Sequence, residues 1–117
     1  MTDQNESGYG RNAIVPKENP RLTHVSLGTP MGELMRRYWQ PICMSSELTD
    51  LPKFLKILNE ELVAYRDKSG QVGVLGAHCC HRGTSLEFGR IEENGLRCCY
   101  HGWLYNEEGR CLDQPGE

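Results

Sequence analysis

At 117 residues the chain has room for one modest domain, and its net charge of −3, with no concentrated basic stretch, argues against a nucleic-acid binder. Apolar residues make up 38% and charged residues 25%, which suits a globular chain; no apolar run is long enough to span a bilayer, and the polar N-terminus does not read as a secretory signal. The expected setting is therefore the cytoplasm with no membrane partner, and six cysteines in that reducing setting point to metal rather than to disulfides.

Residues 1–28 are polar, with scattered Gly, Asn and Pro, and read as a flexible tail that gains order toward Leu22 and Leu27. Thr29-Pro30 then marks a helix start, with Thr29 as the cap and Pro30 where a missing N–H costs nothing. Met31, Leu34, Met35 and Tyr38 recur at helical spacing, which predicts a short amphipathic helix with Arg36 and Arg37 in its last turn as a solvated face. From Trp39 onward the signals are those of strands. Residues 39–44 read as a first strand, with Pro41 placing it at an edge. Residues 54–58 and 62–66 flank a hairpin connection at Asn59-Glu60-Glu61. The cluster Asp67-Lys68-Ser69-Gly70 is a turn leading into a strand over 71–77, with Val72, Val74 and Leu75 to bury. Two further turns follow, at Glu93-Asn94-Gly95 and at Asn106-Glu107-Glu108-Gly109. The turn spacings predict an antiparallel meander and an all-β fold, with no βαβ alternation.

Two stretches carry the chemistry: Cys79-Cys80-His81-Arg82-Gly83 and Cys98-Cys99-Tyr100-His101-Gly102-Trp103. Stripped to possible ligands they read C-x-H and C-x-x-H, one Cys/His pair from each of two loops. That is the ligand set of a Rieske centre, where two histidines replace two cysteines on one of two irons. C-x-H puts Cys79 and His81 on one side of an extended backbone, and the wider C-x-x-H leaves room for a turn between Cys98 and His101. Gly83 and Gly102 follow the histidines closely, as suits a backbone that needs positive φ or a close approach. A zinc-stabilised binding module uses the same donors and is the rival from another class, although zinc loops normally space the first pair by two to four residues.

The flanks of both motifs, through Thr84-Ser85-Leu86 and from Leu96-Arg97, resemble the two signature boxes of Rieske non-haem iron oxygenases. Upstream, Gly28-Thr29-Pro30-Met31-Gly32-Glu33-Leu34-Met35-Arg36-Arg37-Tyr38-Trp39-Gln40-Pro41 is similar to the N-terminal stretch of their alpha (terminal oxygenase) subunits. The likeness runs from about Leu22 to Glu117 and is strongest to the phthalate and phenoxybenzoate dioxygenase group, which includes aromatic O-demethylases. It implies an all-β Rieske (ISP-like) domain over 29–117. Such a domain has an antiparallel basal sheet, an inserted two-loop cluster-binding subdomain over about 77–112, and a short N-terminal helix. It also implies a 2Fe–2S cluster with Cys79 and Cys98 on one iron and His81 and His101 on the other, neighboured by Arg82, Gly83, Tyr100, Gly102 and Trp103. A reductase or ferredoxin would be the electron donor, a mononuclear iron oxygenase domain the acceptor, and a homotrimer the parent assembly.

The chain departs from the family pattern in two respects. Cys80 and Cys99 stand where proline usually follows each ligand cysteine, which raises a bridge between them as a minor alternative to two free thiols. His24 and His78 lie far apart with no partner carboxylate motif, so no oxygen-activating site and no catalytic residue is expected here. His24 reads as a tail residue and His78 as an exposed loop residue. The family continues with further strands past this point, so the domain reads as C-terminally truncated. The resulting expectation is one-electron transfer as part of an aromatic-ring-hydroxylating or O-demethylating oxygenase, with a stand-alone Rieske ferredoxin as the alternative. Trp103 stands where high-potential relatives carry a serine, which implies a low-potential centre.

Overall fold

A computed structural model describes residues 17–116. The part of the expected tail at 1–16 lies outside the described residues. The remainder contains a short helix, α1 (Pro20–Thr23), capped by the Asn19 side chain, which accepts the Arg21 N–H. Helix α2 (Pro30–Met35) starts as expected: Thr29 accepts the Gly32 N–H and Pro30 fills the first helical position. It ends earlier than its apolar spacing suggests, because Arg36 is already the C-cap.

Arg36 also corrects the reading of a solvated face. Its guanidinium reaches Val25 O at 2.8 Å, Leu58 O at 3.0 Å and Glu60 at 2.9 Å, pinning the N-terminal arm to the first hairpin. Asn59 adds a bond to Ser26 Oγ at 2.6 Å. Residues 39–44 form no strand; they run irregularly into a 3-10 turn at Ser45–Glu47. Pro41 has no N–H to give to a ladder, and none of the sheet strands among the described residues pairs with this stretch.

Strands β1 (Lys53–Ile57) and β2 (Glu60–Arg66) pair with Ile57 opposite Glu60, so the turn is Leu58-Asn59 and not 59–61. Both turn residues have positive φ, 49° and 61°, the pattern of a type I′ hairpin. Glu60 and Glu61 therefore belong to β2. Strand β3 (Val72–Gly76) buries Leu75 and leaves Val72 and Val74 exposed. A period of two cannot send Val74 and Leu75 to one face, so the expectation of burying all three fails.

The second half forms β4 (Arg90–Glu92), β5 (Gly95–Arg97), β6 (Leu104–Tyr105) and β7 (Cys111–Asp113). Turns connect β4 to β5 and β6 to β7 where the sequence places them. Gly95 sits in β5 with negative φ. It is required by crowding, since a Cβ there would collide with the Tyr105 carbonyl oxygen. The two sheets, β1-β2-β3 and β4-β5-β6-β7, are antiparallel throughout, as the meander reading expects. Lys68 N–H to Glu92 O (3.0 Å) and Ser69 N–H to Glu93 O (3.2 Å) tie one sheet to the other.

The core lies between the sheets. Val63, Tyr65 and Leu75 from the first meet Ile91, Leu96 and Tyr105 from the second, with Ala77, Cys79, Leu86 and Cys98 filling the middle. Two candidate ligands are thus core residues, and the sheets carry the loops that hold them. Among the described residues no helix is long and apolar enough to cross a membrane.

Candidate metal centre

The loop after β3 and the loop between β5 and β6 share one backbone frame. In the first, Gly83 N–H donates to Cys79 O (2.8 Å) and Cys79 N–H to Thr84 O (2.8 Å). In the second, Gly102 N–H donates to Cys98 O (3.1 Å) and Cys98 N–H to Trp103 O (2.8 Å). Gly83 and Gly102 have φ of 76° and 78°, so the left-handed conformation anticipated at these glycines is present in both.

The frame folds each loop's backbone N–H groups toward its own cysteine. His81 and Arg82 donate to Cys79 sulfur, and Tyr100 and His101 to Cys98 sulfur. Both thiols are 4% exposed and free, and they lie close enough to shift each other's protonation. Burial works against the Cys79 thiolate, but Tyr105, the two N–H groups and Cys98 outweigh it and hold that thiol below its usual range. Cys98 shifts the opposite way, pushed up by burial and by the neighbouring sulfur. The frame thus favours a thiolate in a dry pocket, the form a metal takes.

The histidines converge as well. His81 and His101 meet edge-on with ring centroids 4.6 Å apart. His81 is half-buried beneath Trp103, whose ring stacks on it at 4.3 Å and 7°. His101 is exposed and has the Tyr100 ring at 3.9 Å. Sulfur therefore lies inside and imidazole at the rim, with Arg82 and Gly83 exposed beside it. Of the four residues singled out from the sequence, the two thiols neighbour each other and so do the two imidazoles. Among the described residues no three His, Cys, Asp or Glu side chains are grouped to hold a single metal ion. The donors come in pairs, and pairs are what each iron of a two-iron cluster takes. A dry sulfur pair, an outer imidazole pair and N–H groups aimed at sulfur fit that group.

Tyr105 is the site residue that the motif does not contain. Its hydroxyl is 3.0 Å from Cys79 Sγ and 3.0 Å from Cys80 Sγ. Burial, then the two thiols, push its pKa well above the usual phenol range, so it stays a donor. The sequence carries no signal for it. Cys80 and Cys99 are exposed and free. His78 is exposed, as expected, yet tied: Nε2 is 2.8 Å from Glu61 and Nδ1 is 3.1 Å from Gly83 O. These bonds, that to Glu61 first, raise its pKa. His24 pairs with Glu18 at 3.2 Å on the surface.

Comparison with known proteins places residues 38–117 in the Rieske 2Fe-2S domain family. The tert-butanol monooxygenase / tert-amyl alcohol desaturase oxygenase subunit of Aquincola tertiaricarbonis is 56% identical over 95% of the chain. The phenoxybenzoate dioxygenase alpha subunit of Ectopseudomonas oleovorans is 48% identical over 100% of it. The chain spans 24% and 29% of those two relatives' lengths. Among solved structures, dicamba monooxygenase bound to dicamba superposes with a TM-score of 0.66 at 32% identity, over 70% of this chain and 26% of that one. NdmA of Pseudomonas putida CBB5 gives 0.65 at 34%, over 71% and 27%.

Proposed function

The chain belongs to the Rieske 2Fe-2S domain family, and from that premise we propose that it relays single electrons as the Rieske part of an oxygenase subunit. The observation that carries the reading is the pairing of two buried thiols with two converging imidazoles on matched loops. When bound, the cluster supplies reversible one-electron storage. Cys79 and Cys98, on the core side, would hold one iron, and the backbone N–H groups there would stabilise the charge on sulfur. His81 and His101, at the rim, would hold the other. Trp103 keeps the His81 ring in its plane by stacking, and the Tyr105 hydroxyl donates to Cys79 sulfur.

His101 and Tyr100 form the exposed edge, so donor and acceptor meet the protein there. The donor is a reductase or ferredoxin, the acceptor a mononuclear iron domain of the parent subunit, and the parent enzyme a homotrimer of such subunits. Two relatives' names, phenoxybenzoate dioxygenase and 5,5'-dehydrodivanillate O-demethylase, support an aromatic substrate hydroxylated or demethylated by that parent, whereas the 56%-identical relative is named for two aliphatic alcohols. The α2 arm, fastened to the first hairpin by Arg36, favours this over a stand-alone ferredoxin.

Anaerobically purified protein should contain two irons and two sulfides per chain and show the Rieske electron-paramagnetic (EPR) signal. One zinc and no sulfide would overturn the proposal. His81→Cys and His101→Cys should each abolish that signal while iron still binds; an unchanged spectrum contradicts the ligand assignment.

A further inference from the structure

The residue immediately before each motif cysteine carries a cationic or imidazole side chain, His78 before Cys79 and Arg97 before Cys98. Each reaches five residues on to the carbonyl of the loop's positive-φ glycine. His78 Nδ1 is 3.1 Å from Gly83 O, and Arg97 Nη1 donates to Gly102 O. Each is in turn held by a sheet glutamate. His78 Nε2 lies 2.8 Å from Glu61 of β2, and Arg97 binds Glu92 of β4 through two bonds of 2.8 and 3.0 Å. Arg97 adds Asp113 of β7 at 3.0 Å. Two loops far apart in sequence thus carry the same three-part arrangement of glutamate, basic residue and glycine carbonyl.

We infer that His78 and Arg97 are a matched pair of positioning residues, each latching one cluster loop shut by holding its glycine carbonyl against a glutamate-anchored side chain. This rests on the reading of the two loops as cluster loops. A glycine at positive φ has no side chain to resist rotation of its peptide plane. That peptide lies within two residues of His81 in the first loop and next to His101 in the second. Fixing its carbonyl fixes the turn from which the imidazole projects. The Glu92–Arg97 latch is bidentate, its side chains 24% and 21% exposed; the Glu61–His78 latch is single, at 44% and 57%. The second loop is therefore held more tightly than the first.

The test uses the cluster-loaded full chain, after iron and sulfide content has confirmed that the wild type holds a 2Fe–2S cluster. A wild type without that cluster would overturn the underlying reading before any variant is made. His78→Asn places an amide N–H near the position of Nδ1 and should keep the Gly83 bond. His78→Gln reaches toward Glu61 and should lose it. Arg97→Gln should lose the second latch. The expected result is an altered, broadened EPR spectrum and roughly tenfold faster cluster loss to a chelator for His78→Gln and Arg97→Gln. His78→Asn should stay close to wild type. Unchanged spectra and loss rates in both latch-breaking variants would overturn the inference. So would equal effects of His78→Asn and His78→Gln, since the glycine bond would then not be what matters. Thermal unfolding separates a general loss of fold from a loss of positioning: a lowered midpoint with an unchanged spectrum counts against the inference.

Discussion

One hydroxyl proton on Tyr105 faces two sulfurs, Cys79 and Cys80, each at 3.0 Å. It can be donated to only one of them, and a thiolate is the better acceptor, so Cys79 receives it while Cys80 S–H turns back to the phenol oxygen. A donor on ligand sulfur favours the reduced, more negative state. Tyr105→Phe should therefore lower the midpoint potential, with Cys80→Ala giving a smaller shift of the same sign, both read by an EPR-monitored redox titration. Because Trp103 offers no hydroxyl where high-potential relatives have serine, the wild-type value should lie near the low end of the Rieske range, about −150 mV. A midpoint well above zero, or no change in Tyr105→Phe, would contradict this. At this scale the two Cys/His pairs drew attention in the sequence because their spacing is rare. Tyr105 was not, since a tyrosine on a short strand reads as ordinary core until a thiol is placed beside it.

Turns and patterned strands follow local rules, and the two clusters rich in Asn, Asp and Gly around β3 and β6 were placed correctly for that reason. The first hairpin turn was expected at 59–61 and lies at 58–59, because leucine at positive φ gives no turn signal. Residues 39–44 look strand-like by composition, yet pairing needs a partner strand, which composition cannot supply. Gly95 shows the reverse case: its neighbour across the sheet, not its own backbone, demands glycine. Gly95→Ala should force β5 away from β6 and cost about 3 kcal/mol in denaturant unfolding, the upper part of the overpacking range. A loss below about 0.5 kcal/mol would contradict it. Glu92 ties β4 to β5. Its carboxyl is held down to about 2, by Arg97 first and Arg90 next, against an ordinary value of 4.5. With the folded pKa depressed, the stabilisation is fully present above the ordinary value and fades as pH falls toward about 2. The stability gap between wild type and Glu92→Gln should therefore be flat above about pH 5 and close progressively below it. A gap that widens on acidification would contradict the assignment.

At the scale of the whole molecule, the core passes through the two candidate sulfur ligands, so the same residues that would hold iron also join the sheets. A domain of this size buries a limited share of its surface, and a group tying two loops contributes to its stability directly. Removing the cluster with a chelator under reducing conditions should lower the unfolding midpoint by roughly 10 °C or more, as a loss of a few kcal/mol implies. An unshifted midpoint would mean that the sheets hold the loops unaided. The all-β meander was visible from turn spacing, whereas the contact of the two sheets through Lys68 and Ser69 depends on backbone bonds with no sequence signature. The two sides of the centre also differ in how their surroundings respond to charge. The sulfurs share the buried core with Leu86 and Leu96, which cannot reorient, while water around exposed His101 would have to turn whenever an electron arrives or leaves. Most of the solvent reorganisation energy of transfer is thus concentrated on one face. A partner that covered His101 and Tyr100 would displace that water, so contact itself would speed the electron before either protein changed shape.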